Sequence, residues 1–200
     1  LIGAVVVVLL GVGGYFFRER FLRPAPAPAP VVEEQPPIRS TYASSTLGFS
    51  IQYPPGYTLD ESYAYAGVPK KPILGVKFLI PGAVATGTTL SSFDTGVSIE
   101  TLPRAKSCTG DIYLLANVRP MKLTEQGVEY SLATSSEGAA GNLYEELVYA
   151  LVNSNPCIAV RYFIHSTNLG NYPTSTVRAF DRTKLLQEFD TIRRSLVRSR

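Results

Sequence analysis

The chain has 200 residues, 18% of them charged, with a formal net charge of +3, 12 Tyr and no Trp. Sparse charge with frequent Ser, Thr and Gly disfavours a Glu/Lys-rich helical bundle and suits a β-rich domain. The small net charge offers no broad basic face, so no nucleic acid is expected, and one His with two Cys is too few for a zinc site.

The first element is "LIGAVVVVLLGVGGYFF", Leu1 to Phe17, which carries no charge. As a helix it spans roughly 26 Å at 1.5 Å per residue, against a ~30 Å hydrocarbon core. Phe21 and Leu22 extend the apolar length past Arg18 and Arg20, whose long side chains can snorkel. Residues 1–22 are therefore predicted to be a single transmembrane anchor embedded in the bilayer, with Tyr15, Phe16 and Phe17 in an aromatic belt. An uncleaved anchor is preferred to a removed signal peptide, because Pro at alternate positions makes a poor cleavage context. The chain starts without Met, so upstream residues are expected. Arg18, Arg20 and Arg23 against Glu19 would by themselves hold the following domain in the cytoplasm. The cysteines below argue for the other side.

Residues 23–40 follow as a linker. Pro24, Pro26, Pro28 and Pro30 alternate with Ala, then Pro36 and Pro37 follow. Each Pro fixes its own φ and pushes its predecessor towards extended backbone. The tract is read as a polyproline II spacer of roughly 43 Å, stiff enough to hold a domain off a surface.

Residues 41–200 are read as one α+β domain. Period-2 alternation puts Leu47, Phe49, Ile51 and Tyr53 on one face, and likewise Leu74, Val76, Phe78 and Ile80. Val97 with Ile99, and Val128 with Tyr130 and Leu132, repeat the pattern. "LYEELVYALV" and "CIAVRYFIH" read as long strands joined at "NSNP", after a joint at "TSSEGAAGN". Short joints between consecutive strands predict an antiparallel meander sheet. Residues 104–126 are read as loops or a short helix over its second face. Leu185, Leu186, Phe189, Ile192 and Leu196 recur at helical spacing after Asp181, a capping residue, and predict a C-terminal helix packed on one face of the sheet. Arg193, Arg194, Arg198 and Arg200 near the chain end are read as complementing that helix's dipole.

"LGFSIQYPPGY", a strand ending in a Pro-Pro-Gly-Tyr turn, resembles the opening of PsbP-like domains, with Tyr57 where such domains often carry Trp. "LLQEFDTIRRSL" resembles their final helix. The resemblance implies an antiparallel sheet flanked by helices and an accessory or binding role outside the cytoplasm. It implies no catalytic residue.

Cys108 and Cys157 are read as a disulfide, which fits an oxidising compartment; the alternative is two buried thiols in a cytosolic protein. His165 shares strand parity with Arg161 and Phe163, away from the main core, and its neighbour Ser166 points the other way, so no Ser-His-acid triad is read there. "GAVATGTT" after a strand lacks the Lys of a phosphate loop and is read as an ordinary loop. Glu145 and Glu146 face opposite ways and are not a catalytic pair. Tyr53, Tyr57, Tyr63 and Tyr65 form a candidate recognition patch around turn residues. No catalytic, cofactor-binding or metal-ligating residue is assigned. The expected role is a non-catalytic accessory or binding module of the cell envelope, anchored with its C-terminal domain beyond the membrane and meeting an unidentified envelope protein. Two alternatives stand beside it. One is a pilin-like filament subunit, although Val5 stands where a pilin starting at Leu1 would carry Glu. The other is an extracytoplasmic hydrolase.

Overall fold

A computed structural model describes residues 38–68, 71–115 and 117–199. The proposed anchor and most of the proline spacer lie outside the described residues. Among the described residues no helix is long and apolar enough to cross a membrane. The fold below belongs to the second of two units in the chain, Pro37–Arg200.

Antiparallel strands dominate and one long helix closes the chain, so the class is α+β. Strands β1 (Ser40–Ser44), β2 (Phe49–Tyr53) and β11 (Val197–Arg198) form a small sheet in the order β1-β2-β11. The large sheet contains β3 (Thr58–Asp60), β5 (Ile73–Leu79), β6 (Gly96–Leu102), β10 (Cys157–Thr167), β9 (Asn142–Leu151), β8 (Val128–Ala139) and β7 (Met121–Glu125), in that spatial order. The short β4 (Ala64–Tyr65) pairs with the far end of β5. The predicted meander is observed from β7 to β10 but not throughout, because β6 pairs with β10 and not with β7. The chain leaves β6 and crosses the sheet through the 3₁₀ turn η1 (Gly110–Tyr113), then re-enters at the opposite edge as β7. That crossing gives the sheet a covered second face.

The first face carries the larger core. Phe49, Ile51, Val76, Phe78, Val97, Ile99, Val160, Tyr162 and Ile164 meet helix α2 (Arg182–Arg194) through Leu185, Phe189 and Ile192. The helix starts where expected, with the Asp181 carboxylate accepting from the Lys184 N–H. Each such buried side chain contributes about 1.5–3 kcal/mol of hydrophobic stabilisation. Arg193 and Arg194 do sit in the last helical turn, but Arg193 is buried and both pair with Glu125 and Asp190. They present no basic patch.

Three readings change in detail. Leu74 has core parity yet is 63% exposed, and Val128 is also exposed. Each lies at a strand end that outruns its cover. The "TSSEGAAGN" joint shrinks to Ala140-Gly141, both at positive φ, so the residues before it extend β8. The "GAVATGTT" loop opens with the single helical turn α1 (Gly82–Ala85).

The second face is built from the alternate positions of the same strands. Tyr65, Ile73, Tyr113, Ala133, Val148, Ala150, Cys157 and Ala159 form a smaller core beneath η1. Small side chains there let the crossing segment lie almost on the backbone. A Cβ on Gly110 would sit 2.7 Å from the Ala133 nitrogen and 2.8 Å from the Ser131 and Val148 carbonyl oxygens, so this position requires glycine. The Cys108–Cys157 disulfide, with a Cα–Cα distance of 5.1 Å, ties the crossing segment to the start of β10.

Candidate functional site

Beyond η1 the second face turns polar, and register sets what stands beside what. Lys77, Ser98 and Arg161 share one row across β5, β6 and β10. Phe163 and Glu146 face each other in the next row, and His165 faces Tyr144 in the one after. β6 and β10 are central strands buried on both faces, so the charges they carry are held out of water.

Arg161 and Glu100 are both fully buried and form a two-pronged pair. Arg161 Nε and Nη2 donate to the two Glu100 oxygens at 2.8 Å each, and Nη2 also donates to the Tyr113 carbonyl at 2.8 Å. Arg161 Nη1 binds Glu146, and the Tyr65 ring covers the guanidinium at 3.5 Å. Glu100 Oε1 also accepts from Ser98 Oγ at 2.7 Å and from the Tyr63 hydroxyl at 3.3 Å. Burial opposes the Arg161 charge, but the Glu100 bonds and Glu146 outweigh it and hold the guanidinium above its ordinary range. Burial and the Glu100 charge push the Tyr63 phenol well above its ordinary value, and burial does the same at Tyr65.

Above this floor opens a cleft of about 360 Å³, walled by Tyr63, Tyr65, Tyr144, Phe163 and Leu115, with Asp94, Glu137 and Glu146 at its margins. Lys77 enters it from β5. The residue is 8% exposed, and its ammonium lies 4.7 Å from the Phe163 ring centre and 5.3 Å from that of Tyr63. Among the described residues it forms no ion pair. Burial holds its pKa below the ordinary lysine value, partly offset by Asp94 and Glu100. Charging this amine therefore costs the folded state more than the unfolded one. The cost is fully present below the depressed folded pKa and disappears as pH rises towards the unfolded value. Lys77→Met, which keeps the stem and drops the charge, is expected to raise Tm at pH 7. The difference should shrink by pH 9.5, as measured by paired thermal melts.

His165 is partly buried behind Asp94 and Tyr144, which line the cleft. Its Nδ1 lies 2.8 Å and 2.9 Å from the two Asp94 oxygens, its Nε2 lies 3.0 Å from Asn142 Oδ1, and its ring stacks on Tyr144 at 4.5 Å. The histidine thus has an acid partner, Asp94, that lies 71 positions away in sequence. Ser166 is buried on the opposite face, in line with strand parity. Among the described residues no hydroxyl stands at Nε2, because Asn142 occupies that side.

The four tyrosines of the candidate patch divide between the two faces. Tyr57 is buried on the first face and donates to Glu188 at 2.5 Å, while Tyr53 packs on Phe78 with ring centres 4.8 Å apart. Tyr63 and Tyr65 belong to the second face and wall the cleft. Only this second pair shares a surface with Lys77, Phe163 and Tyr144. Those three, with Arg161, Glu100, Glu146 and Asp94, are the site residues that sequence reasoning missed. One signal was available: small residues such as Ala133, Ala150 and Ala159 at the non-core parity mark a covered face, not a solvated one.

No family model matches the chain, and no characterised protein matches it in sequence. Among solved structures, one from Bacteroides thetaiotaomicron is similar at 12% identity and a TM-score of 0.46, over 80% of this chain and 48% of that one. The chain thus spans about half of that protein's length. Cyanobacterial PsbP from Synechocystis sp. PCC 6803 is similar at 12% identity and a TM-score of 0.32, over 83% of this chain and 95% of that one.

Proposed function

We propose that this chain is a non-catalytic binding module of the cell envelope. Residues 1–22 anchor it, residues 23–40 hold it off the membrane, and the domain from residue 41 presents the cleft on the extracytoplasmic side. The observation that carries the binding role is the state of the cleft floor. Arg161, Glu100, Glu146, Asp94 and His165 are each already bound by another protein group. Groups bound in this way shape and hold a site. The disulfide supports the oxidising side of the membrane.

A hydrolase reading draws on the His165–Asp94 pair, since an acid-oriented imidazole is one part of a nucleophile-activating set. It is the weaker reading, because the free side of the ring faces Asn142 and not a nucleophile.

Thiol labelling and protease protection on intact cells test the location. Maleimide is expected to leave both cysteines unlabelled until reductant is added, and external protease is expected to digest the domain while leaving the anchor. Labelling without reductant, together with a protected domain, would sink the extracytoplasmic reading.

A further inference from the structure

We infer that two copies of this chain pair along the free edge of β8, antiparallel and with Ser136 on the two-fold axis. The first premise is an unpaired edge. β7 flanks β8 only as far as Leu132, which faces Met121, whereas β8 runs on to Ala139 with β9 on its other side. The turns Gln126-Gly127 and Ala140-Gly141 have positive φ at both residues, so the pairs that flank them, Glu125 with Val128 and Ala139 with Asn142, are hydrogen-bonded pairs. Odd-numbered residues of β8 therefore bond towards β9, and the Val152 N–H donates to the Glu129 carbonyl at 3.1 Å in keeping with this. Even-numbered residues bond the other way. Val128, Tyr130 and Leu132 meet β7. Thr134, Ser136 and Gly138 are exposed, and their backbone groups turn outward and meet no partner among the described residues.

The second premise is that nothing blunts this edge. Edges that stay free are guarded by Pro, by Lys or by a bulge. Residues 133–139, "ATSSEGA", hold no Pro and no Lys, and their pairing with β9 skips no residue. β7 beside them shows the ordinary protection, with Pro120 at its entry and Lys122 among its outward residues. The third premise is that the segment is complementary to itself. With Ser136 opposite the partner's Ser136, residues 133–139 of the two copies overlap fully. Glu137 then faces the partner's Ser135, and Gly138 faces the partner's Thr134. Each outward pair exchanges both backbone bonds, and no charge stands directly opposite its like. Sliding the strands to put Glu137 on the axis would set two carboxylates face to face, and other slides shorten the overlap. Ser135 and Glu137 also line the cleft, so this pairing brings the partner's Ser135 to the cleft margin.

The test uses the full chain purified in detergent. Both native cysteines are held in the disulfide, so an introduced cysteine supplies the one free thiol. On the axis, the two copies of residue 136 stand about 5.5 Å apart at Cα, within disulfide range. The two copies of residue 134 stand more than about 13 Å apart. Under mild oxidation Ser136→Cys is expected to form a covalent dimer at least tenfold faster than Thr134→Cys. Sedimentation of the parent should show a reversible monomer–dimer equilibrium over micromolar concentrations. Ser136→Pro removes an outward N–H that β9 does not use, and should weaken the dimer at least tenfold while melting within a few degrees of the parent. A parent that stays monomeric, equal crosslinking at 134 and 136, or a dimer indifferent to Ser136→Pro would each overturn the inference. Association through residues 1–22 would give the last two results together.

Discussion

Arg161→Met should cost this domain about 3–5 kcal/mol, the loss typical of removing one partner from a buried ion pair. For a domain of this size that corresponds to a fall in Tm of roughly 6–20 °C. The cost comes from what is left behind. Glu100 is fully buried and takes three bonds from Arg161 and Ser98 at 2.8 Å or less. Without the guanidinium, its charge keeps only the Ser98 and Tyr63 hydroxyls. Glu146 is partly exposed and can rehydrate, so it adds less to the loss. A further result follows from the same cause. Adding Glu100→Gln to the variant should recover much of the loss, since the double change leaves no buried charge at that position. Urea unfolding of the parent, the single variant and the double variant measures both. A single-variant loss below about 1 kcal/mol would mean that water already reaches Glu100, and the floor of the cleft would then owe little to this pair.

How much of this was legible in the sequence depends on which face is considered. The first face follows the simplest rule available. Phe49 with Ile51, Val76 with Phe78, and Val97 with Ile99 alternate with polar residues and are buried together. Leu185, Phe189 and Ile192 recur at helical spacing and meet them. On the second face alternation sets Lys77, Glu100, Glu146 and Arg161 opposite the main core; reading residues 104–126 over that face anticipates its cover, which η1 supplies, but not which charges lie beneath it. They are buried because η1 and the Tyr63 and Tyr65 rings lie over that face, and the crossing that brings η1 there depends on β6 pairing with β10, some 60 residues later in the chain. Long-range pairing of two central strands leaves no local mark. Asp94 and His165 meet for the same reason: β5, β6 and β10 adjoin only in the folded sheet. The cysteines were legible because they were only two, and a strand start opposite a loop suits a staple. The turn tyrosines were legible as a group of aromatics but not as two pairs on opposite faces, since the chain rounds the β3 edge between Tyr57 and Tyr63.

Loss of the Cys108–Cys157 bond is the other change expected to act on the whole domain. The bridge closes a loop with a sequence separation of 49, which in the chain-entropy account stabilises the fold by about 4 kcal/mol. Cys108→Ser/Cys157→Ser should therefore melt roughly 8–16 °C below the parent. It should also show a steeper denaturant dependence, because an uncrosslinked unfolded chain exposes more surface. A second effect is local. Cys108 sits in the segment that carries η1, and that segment packs Tyr113 into the cluster with Ala133, Val148 and Ala159 while supplying Tyr113's carbonyl to Arg161. Untying it at one end leaves the roof of the second core held by the Gly110 contact and the Tyr113 hydroxyl, which donates to the Cys157 carbonyl at 2.8 Å. Amide exchange should accordingly quicken in residues 105–115 and at the cleft wall before it does so around α2. Entropy of the unfolded chain alone would instead lower protection evenly, since it acts on global opening and favours no region. A uniform loss would thus assign the bond to the unfolded state. A loss concentrated over the second face would make the disulfide the clamp that keeps Lys77, Arg161 and Glu100 under cover.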